Sequence, residues 1–318
     1  MTHTHSYPSW GDTSEDPTLT WDDRDRAALV ALMRLTPKHT EWSRLTEQIS
    51  NHCGSARRLW EDQHPSDLFG ASDESVVLDQ AVKDVAAWKH APFRLHTFMD
   101  DTYPAQLRSV RQMPPAVFTH GQLLDDDAGV CVVGSRDASD DALQFARTVA
   151  RELVSHNVSV IAGLARGIDT AAHQAALHAG GRTVAVLGNG LDHVYPRENR
   201  GLQAEIAEHG MLMTHFLPEY GPSRWSFPAR NITMSAYGIA TVVVEAGEKS
   251  GTRIQAREAV AHGRPVILNA RVVQATTWGR ALQNQPGVYV AESANDAVEH
   301  AVRLNDERIT LTKLLGIR

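Results

Sequence analysis

Cysteine is scarce in this chain: Cys53 and Cys131 are the only two in 318 residues. They lie too far apart for a CxxC metal or redox motif, which argues against a disulfide scaffold and fits a reducing compartment. Long apolar runs are missing as well. None approaches the ~20 residues that a bilayer span requires. The first residues, Met1-Thr2-His3-Thr4-His5, lack the basic and apolar regions of a secretory signal, so a cytoplasmic location with no membrane association is expected. There is no basic excess either. Thirty-one Lys and Arg against 38 Asp and Glu give a formal net charge of −7, which argues against a generic electrostatic DNA-binding surface, since such binders are usually basic. A nucleic-acid site would have to be a local pocket where a few arginines outweigh the global charge. Arginines do slightly outnumber acids between Thr148 and Arg200, with Arg136 just upstream. What remains is ordinary: 42% hydrophobic and 22% charged residues, as in a soluble globular protein large enough for one or two domains.

Residues 1–20 are polar and aperiodic, and a disordered lead is expected there. From Asp22 the pattern becomes helical. Asp22 or Asp23 can cap a segment whose apolar face is Ala27, Leu29, Val30, Leu32, Met33 and Leu35, with Pro37 as its stop. Further helices are expected over 41–49, 56–60 and 74–88, broken at Gly54-Ser55, with Trp21, Trp42, Trp60 and Trp88 as core filler. This predicts a small helical domain over 21–91. Residues 93–121 read as a bridge of turn-formers around short apolar pieces. Beyond it, Val130–Val133, Val158–Ala162, Thr183–Leu187, Met211–Thr214, Ala240–Val244 and Pro265–Leu268 are short apolar runs, mostly followed by helical segments. Continuous apolar strands alternating with amphipathic helices predict an α/β fold: a Rossmann-like, doubly wound parallel sheet covered on both faces. Its bounds are 92–305, with the core from 120, a last helix over 295–304 and a tail at 306–318. The segment 141–154 shows the pattern, with Ala142, Ala146, Val149 and Leu153 on one stripe and Arg147, Arg151 and Glu152 outward. No repeat or low-complexity tract occurs.

In an open parallel sheet, ligands sit beyond the carboxyl ends of the strands. Four loops stand there: Gly134-Ser135-Arg136, Gly163 to Asp169, Gly188-Asn189-Gly190, and Glu245 to Thr252. Glycine lets backbone amides approach an anion, and arginine adds a planar fork that grips phosphate in two places. Arginine beside glycine in two successive loops favours a phosphate ligand over plain surface charge. There is no Walker sequence, and the Gly188 loop lacks the third glycine of a dinucleotide fingerprint, so no cofactor is expected. His3 and His5 read as tail residues, not metal ligands. His173 and His178 lie among small residues (Ala171, Ala172, Ala175, Ala176, Ala179) and read as packing or solvated groups rather than catalysts. Glu245 ends a strand, where it is either a base or sugar-hydroxyl acceptor or a partner for loop amides.

Taken in order, these loops resemble the DprA/Smf family over roughly residues 92–290. The matching pieces are Tyr103-Pro104, Leu107, Pro114-Pro115 and Gly121; Val132-Val133-Gly134-Ser135-Arg136; Ala162 to Asp169 with Ala172-His173; Leu187 to Asp192 with Tyr195-Pro196 and Asn199; Phe227-Pro228-Ala229-Arg230-Asn231; and Val244-Glu245-Ala246 with Ser250-Gly251-Thr252. The resemblance implies a protein without catalytic activity that binds single-stranded DNA, dimerises with a second copy and delivers the strand to the RecA recombinase in DNA uptake, natural transformation and recombination. It places phosphate grips at Arg136 and Arg166, backbone contacts at Gly134, Ser135, Gly163 and Gly167, and pocket lining at Arg230 and Asn231, with Ser250, Gly251 and Thr252 in the last loop. The apolar stretches 266–268 and 288–290 are expected to contribute to a dimer interface.

The chain departs from the family pattern in places. Ile232-Thr233-Met234 follows Arg230-Asn231 where a second arginine is usual. Thr214-His215 stands for a Ser-Glu pair, Arg253-Ile254-Gln255-Ala256 for a Leu-Ile-Thr-Ala type, and Leu268-Asn269-Ala270 for Val-Pro-Gly. No room is expected for the winged-helix domain that some members carry. The lost arginine leaves room for two other readings. One is a phosphoribohydrolase of the LOG type acting on nucleoside monophosphates, although the Glu245–Thr252 loop lacks that family's Pro-Gly-Gly and its following Glu. The other is a nucleotide-sensing module.

Overall fold

The computed structural model describes residues 21–36, 41–65 and 73–316. The expected disordered lead and the Pro37 stop lie outside them. Contacts divide the chain into two units, one of residues 1–91 and 97–101 and one of residues 92–96 and 102–318.

The first unit is helical. Helix α1 (Asp23–Leu35) begins at Asp22, whose carboxylate accepts from the amides of Arg24 and Asp25 and so satisfies two of the helix's unpaired donors. Every residue from Ala27 to Met33 is buried, so α1 is apolar all round, the mark of a central helix rather than a surface one. Helices α2 (Trp42–Asn51), α3 (Ala56–Gln63) and α4 (Asp73–Trp88) complete the unit. Cys53 and Gly54 turn left-handed between α2 and α3, and Ser55 caps α3 while donating to Asp25 at 2.8 Å. Arg34 joins α1 to α4 through Asp84 at 2.7 Å. Trp21, Trp42 and Trp60 are core filler as expected. Trp88 is only half-buried, and Leu35 is 40% exposed because it lies in the last turn of α1.

The second unit runs β1 (Arg94–Thr97), α5 (Ala105–Arg108), β2 (Ala116–Gly121), β3 (Gly129–Gly134), α6 (Asp140–Ser155), β4 (Ser159–Ala162), α7 (Ile168–His178), β5 (Thr183–Val186), α8 (Arg200–His209), β6 (Met211–Thr214), α9 (Ser226–Tyr237), β7 (Ala240–Glu245), α10 (Thr252–Ala261), β8 (Val266–Asn269), α11 (Ala270–Ala275), α12 (Thr277–Leu282), β9 (Val288–Ala291) and α13 (Ala294–Leu315). Among the described residues the strands form one sheet in the order β1-β2-β6-β5-β4-β3-β7-β8-β9. From β6 to β9 all neighbours are parallel, and β2 pairs antiparallel with β6. The fold is the expected Rossmann-like one, extended by β1 and β2 within the supposed bridge and by β9 at the far edge.

Alternate residues of β3 explain the two covered faces. Val130 and Val132 join the apolar cluster of α6, α7 and α13, whereas Cys131 points the other way, its thiol 3.3 Å from the Met234 carbonyl of α9. The stripe Ala142, Ala146, Val149 and Leu153 is buried as expected, and Arg147 and Arg151 face out. Two expectations are corrected. Val266, Ile267 and Leu268 are wholly buried in the parallel sheet, so they offer no surface to a second copy. The last helix runs to Leu315 rather than ending at 304, braced by Arg303–Glu307 at 2.7 Å and Arg308–Asp126 at 2.8 Å.

At the amino ends of the strands sits a closed ionic cluster. Asp127, 1% exposed, accepts from Arg182 at 2.9 and 3.0 Å, from the Ser159 hydroxyl at 2.6 Å and from the Tyr237 hydroxyl at 2.9 Å. It ties the starts of β4 and β5 to the end of α9. His173 of α7 is fully buried nearby, its Nδ1 2.7 Å from the Thr183 hydroxyl, which itself donates to the Val160 carbonyl. That leaves Thr183 to accept, so His173 carries its proton on Nδ1. Burial, reinforced by the positive charge of Arg230, pulls its pKa down to about 3. It is a neutral core histidine, and His178 is exposed.

Candidate phosphate-binding cleft

Strand order reverses between β3 and β7: the chain proceeds outward from β3 to β4, β5 and β6 on one side and through β7, β8 and β9 on the other. Loops at such a point diverge and leave a crevice. Two adjoining clefts open there, of about 550 and 520 Å³, and both are lined by Arg136, Ala165, Phe227 and Arg230. The first adds Gly163, Arg166, Gly188 and Tyr195. The second adds Gly134, Ser135, Asn231, Lys249 and Ser250 to Thr252. The expected site residues are thereby brought together, Gly167 excepted.

Gly167 works from behind. Its φ of +77° is closed to most side chains, and a Cβ there would run into the carbonyls of Ser135 and Arg136. The loop after β4 therefore packs directly on the loop after β3, whose Ser135 carbonyl accepts from the Ile168 amide at 3.2 Å. Leu164 in the same loop has a φ of +60°, a conformation costly for a branched side chain. It is held by burial and by Asn199, which donates to its carbonyl at 2.9 Å and to the Thr170 hydroxyl at 2.8 Å.

Beneath the clefts lie two buried charges. Asp169 accepts from the amides of Gly163 at 2.9 Å and Ala165 at 3.3 Å. Burial raises its carboxyl above the usual range, against the opposing influence of Arg230 and the two amides. Arg230 is 5% exposed. Its Nη1 donates to the carbonyls of Gly163 at 2.6 Å and Val186 at 2.7 Å, and its Nε donates to the Asn231 side chain at 2.9 Å. Burial lowers its pKa, with Asp169 pulling the other way. A Cβ on Gly163 would fall inside this guanidinium, so glycine here serves the arginine.

Several expectations change as a result. Arg230 lines both clefts as expected, and from below it also ties the ends of β4 and β5. The backbone amides of Gly163 and Ser135 do not point at a ligand: the first serves Asp169, and the second donates to the Glu245 carbonyl at 2.8 Å. Asn231 bridges Arg230 to the Gly251 carbonyl at 3.5 Å. Thr252 donates to the Gly134 carbonyl at 3.3 Å, and its amide donates to the Ser250 hydroxyl. Glu245 takes the role of loop acceptor, receiving the Ser139 amide at 3.1 Å and hydroxyl at 2.5 Å.

The outward groups are Arg136, Arg166 and Lys249, all exposed. Arg136 stands over the Phe227 ring, 5.2 Å from its centroid, and Phe227 meets Tyr195 at 5.3 Å. The aromatic face orients the guanidinium without consuming its N–H donors. Arg166 keeps 58% of its side chain exposed, with Asp137 at 4.0 Å and Glu198 at 3.8 Å. Exposed pairs at those distances are weak and yield to a better anion. Tyr195, Phe227 and Lys249 were not among the expected site residues. Phe227 and Tyr195 occupy motif positions, but their contacts join segments distant in sequence and carry no local signal. Among the described residues no group of His, Cys, Asp and Glu could hold a metal, and no helix is long and apolar enough to cross a membrane.

The family model for DNA recombination-mediator protein A matches residues 94–301. The chain is 33% identical over 185 residues to the DNA processing protein DprA of Bacillus subtilis, an alignment covering 58% of this chain and 62% of that one. It thus spans less than two-thirds of that relative's length. Among solved structures, DprA from Streptococcus pneumoniae has a TM-score of 0.67 at 25% identity, covering 88% of this chain and 98% of that one. DNA processing protein A from Helicobacter pylori, described for its single-stranded DNA binding mode, has a TM-score of 0.59 at 23% identity over 66% of this chain and 97% of its own. With the family model spanning more than half its length, this chain belongs to the DNA recombination-mediator protein A family.

Proposed function

We propose that the chain binds single-stranded DNA in the paired clefts, through phosphate contacts from Arg136 and Arg166, and performs no chemistry on it. The observation that carries this reading is the Arg136–Phe227 pair, an exposed guanidinium fixed on an aromatic face where the two clefts meet. A phosphate held there leaves each neighbouring base an aromatic-walled recess, the combination that sequence-tolerant single-strand binding uses. The carboxylates at the strand ends favour binding over catalysis, since Asp169 and Glu245 are both engaged with loop groups. The family description, and the single-stranded DNA binding mode named for the Helicobacter pylori protein, point the same way.

The same reading includes delivery of the strand to RecA, in recombination and DNA uptake, by a homodimer. With 266–268 buried, the expected stretch 288–290 remains half-buried on the edge strand β9, and the end of α13 adds apolar surface for a second copy, with Leu311, Leu314 and Leu315 57%, 76% and 67% exposed. The test is fluorescence anisotropy on the purified protein with single-stranded DNA, duplex and AMP. A cleft at strand ends admits a flexible backbone but not a duplex ~20 Å wide, so single strands should bind more tightly at moderate salt. Equal affinity for duplex, or turnover of AMP, would overturn the reading.

A further inference from the structure

Exposed large apolar side chains are scattered over the described residues, but the two aromatic ones, Tyr195 at 38% and Trp225 at 69%, belong to the same neighbourhood. Tyr195 lines the first cleft. Trp225 lies in the segment between Pro222 and Phe227, both of which line that cleft. A single exposed apolar residue needs no explanation. Trp225 differs in two ways. Its indole carries the Arg224 guanidinium, 4.6 Å from the ring, so it is one half of a cationic, planar pair. The turn that carries it is also pinned by hydrogen bonds, while the indole itself stays outside the core. Ser223 and Ser226 lock the turn reciprocally, each amide donating to the other's hydroxyl at 3.1 and 3.2 Å, and Ser226 is fully buried. The Tyr220 hydroxyl adds a contact to Ser223 at 3.3 Å. A fixed turn that leaves its largest apolar group in water presents a ready surface to a flat partner.

We propose that the Arg224–Trp225 pair is a base-stacking platform outside the cleft mouth, taking a nucleobase of the strand as it leaves the Arg136–Phe227 ridge. The occupant follows from the chemistry of the pair. A nucleobase offers a π-face to the indole, and its phosphate offers a negative charge to Arg224, which an apolar protein surface would not. This inference rests on the single-strand reading and extends it from the phosphate contacts of Arg136 and Arg166 to a longer binding register.

The test compares an oligothymidylate with an abasic deoxyribose-phosphate strand of the same length, which keeps every phosphate and lacks every base. Trp225→Ala should weaken oligothymidylate binding roughly five- to tenfold, the low end for stacking because the platform is exposed. It should leave abasic-strand binding and the salt slope unchanged. Trp225→Phe should restore most of the affinity and abolish the part of the tryptophan fluorescence quenching that Trp225 contributes. An unchanged oligothymidylate affinity in Trp225→Ala, or equal losses on both strands, overturns the platform and leaves the single-strand reading standing. No binding of either strand by the unaltered protein overturns both.

Discussion

The two ends of the parallel sheet use arginine in opposite ways. At the amino ends, Arg182 is bound to the buried Asp127 and closed off by Ser159 and Tyr237. At the carboxyl ends, Arg136 and Arg166 stand in solvent, one propped on Phe227 and the other loosely flanked by acids. A charge satisfied internally holds elements together, whereas one positioned but unsatisfied is available to a ligand. Arg230 shows the distinction within a single motif. It stands at the carboxyl ends yet holds elements together as Arg182 does, its Nη1 donating to the Gly163 and Val186 carbonyls and its Nε to Asn231. That internal tie lets the loops above hold their shape around a cationic cleft.

The contrast breaks most visibly at Asp127. Asp127→Ala strands Arg182 in a largely buried position and removes the acceptor for Ser159 and Tyr237, so stability should fall by about 3–5 kcal/mol. Urea unfolding followed by circular dichroism measures the loss, and the DNA affinity of the protein that remains folded should not change. A loss below about 1 kcal/mol would mean that the cluster is incidental to the sheet.

A smaller effect is expected at His173, on the same closed side. Its pKa is depressed from 6.5 to about 3, so between those values the unfolded chain takes up a proton that the folded one refuses. Stability should therefore fall as pH drops below 6.5, by up to about 1.4 kcal/mol per unit from this group. His173→Asn, which keeps a polar partner for Thr183, should remove that component from a series of urea melts between pH 7 and 5. An identical pH profile in the variant would contradict the buried, neutral assignment.

Much of the fold was legible in the sequence because a parallel sheet buried on both faces writes itself as continuous apolar runs. All six expected strands, from Val130–Val133 to Pro265–Leu268, formed within a residue or so of their expected bounds. Strands β1 and β2 escaped notice because Pro104, Pro114 and Pro115 around them read as a bridge. The extension of α13 was hidden by its charged sequence, whose support comes from the distant Asp126. At the site, motif order identified the loops but not what each group does there. Whether Arg230 faces in or out depends on Asp169 and on the carbonyls of Gly163 and Val186, contacts that no local pattern encodes. The Gly163 and Ser135 amides looked like anion donors for the same reason, and their partners, Asp169 and Glu245, appear only once the loops are folded together.

The central claim is that the open arginines at the carboxyl ends hold phosphate. The direct measurement is the slope of log affinity against log salt for an oligothymidylate, in the unaltered protein and in Arg136→Ala, Arg166→Ala and Arg151→Ala. Each lost phosphate contact should make the slope shallower by about 0.7, because fewer condensed counterions are released. Arg136→Ala and Arg166→Ala should both show this, with affinity reduced by ~1–3 kcal/mol and the fold intact. Arg151, exposed on the outer face of α6, should leave slope and affinity unchanged. If Arg151→Ala alters binding as much as the loop variants, or if the slope holds constant in all three, binding is a diffuse surface effect and the paired clefts are not the DNA site.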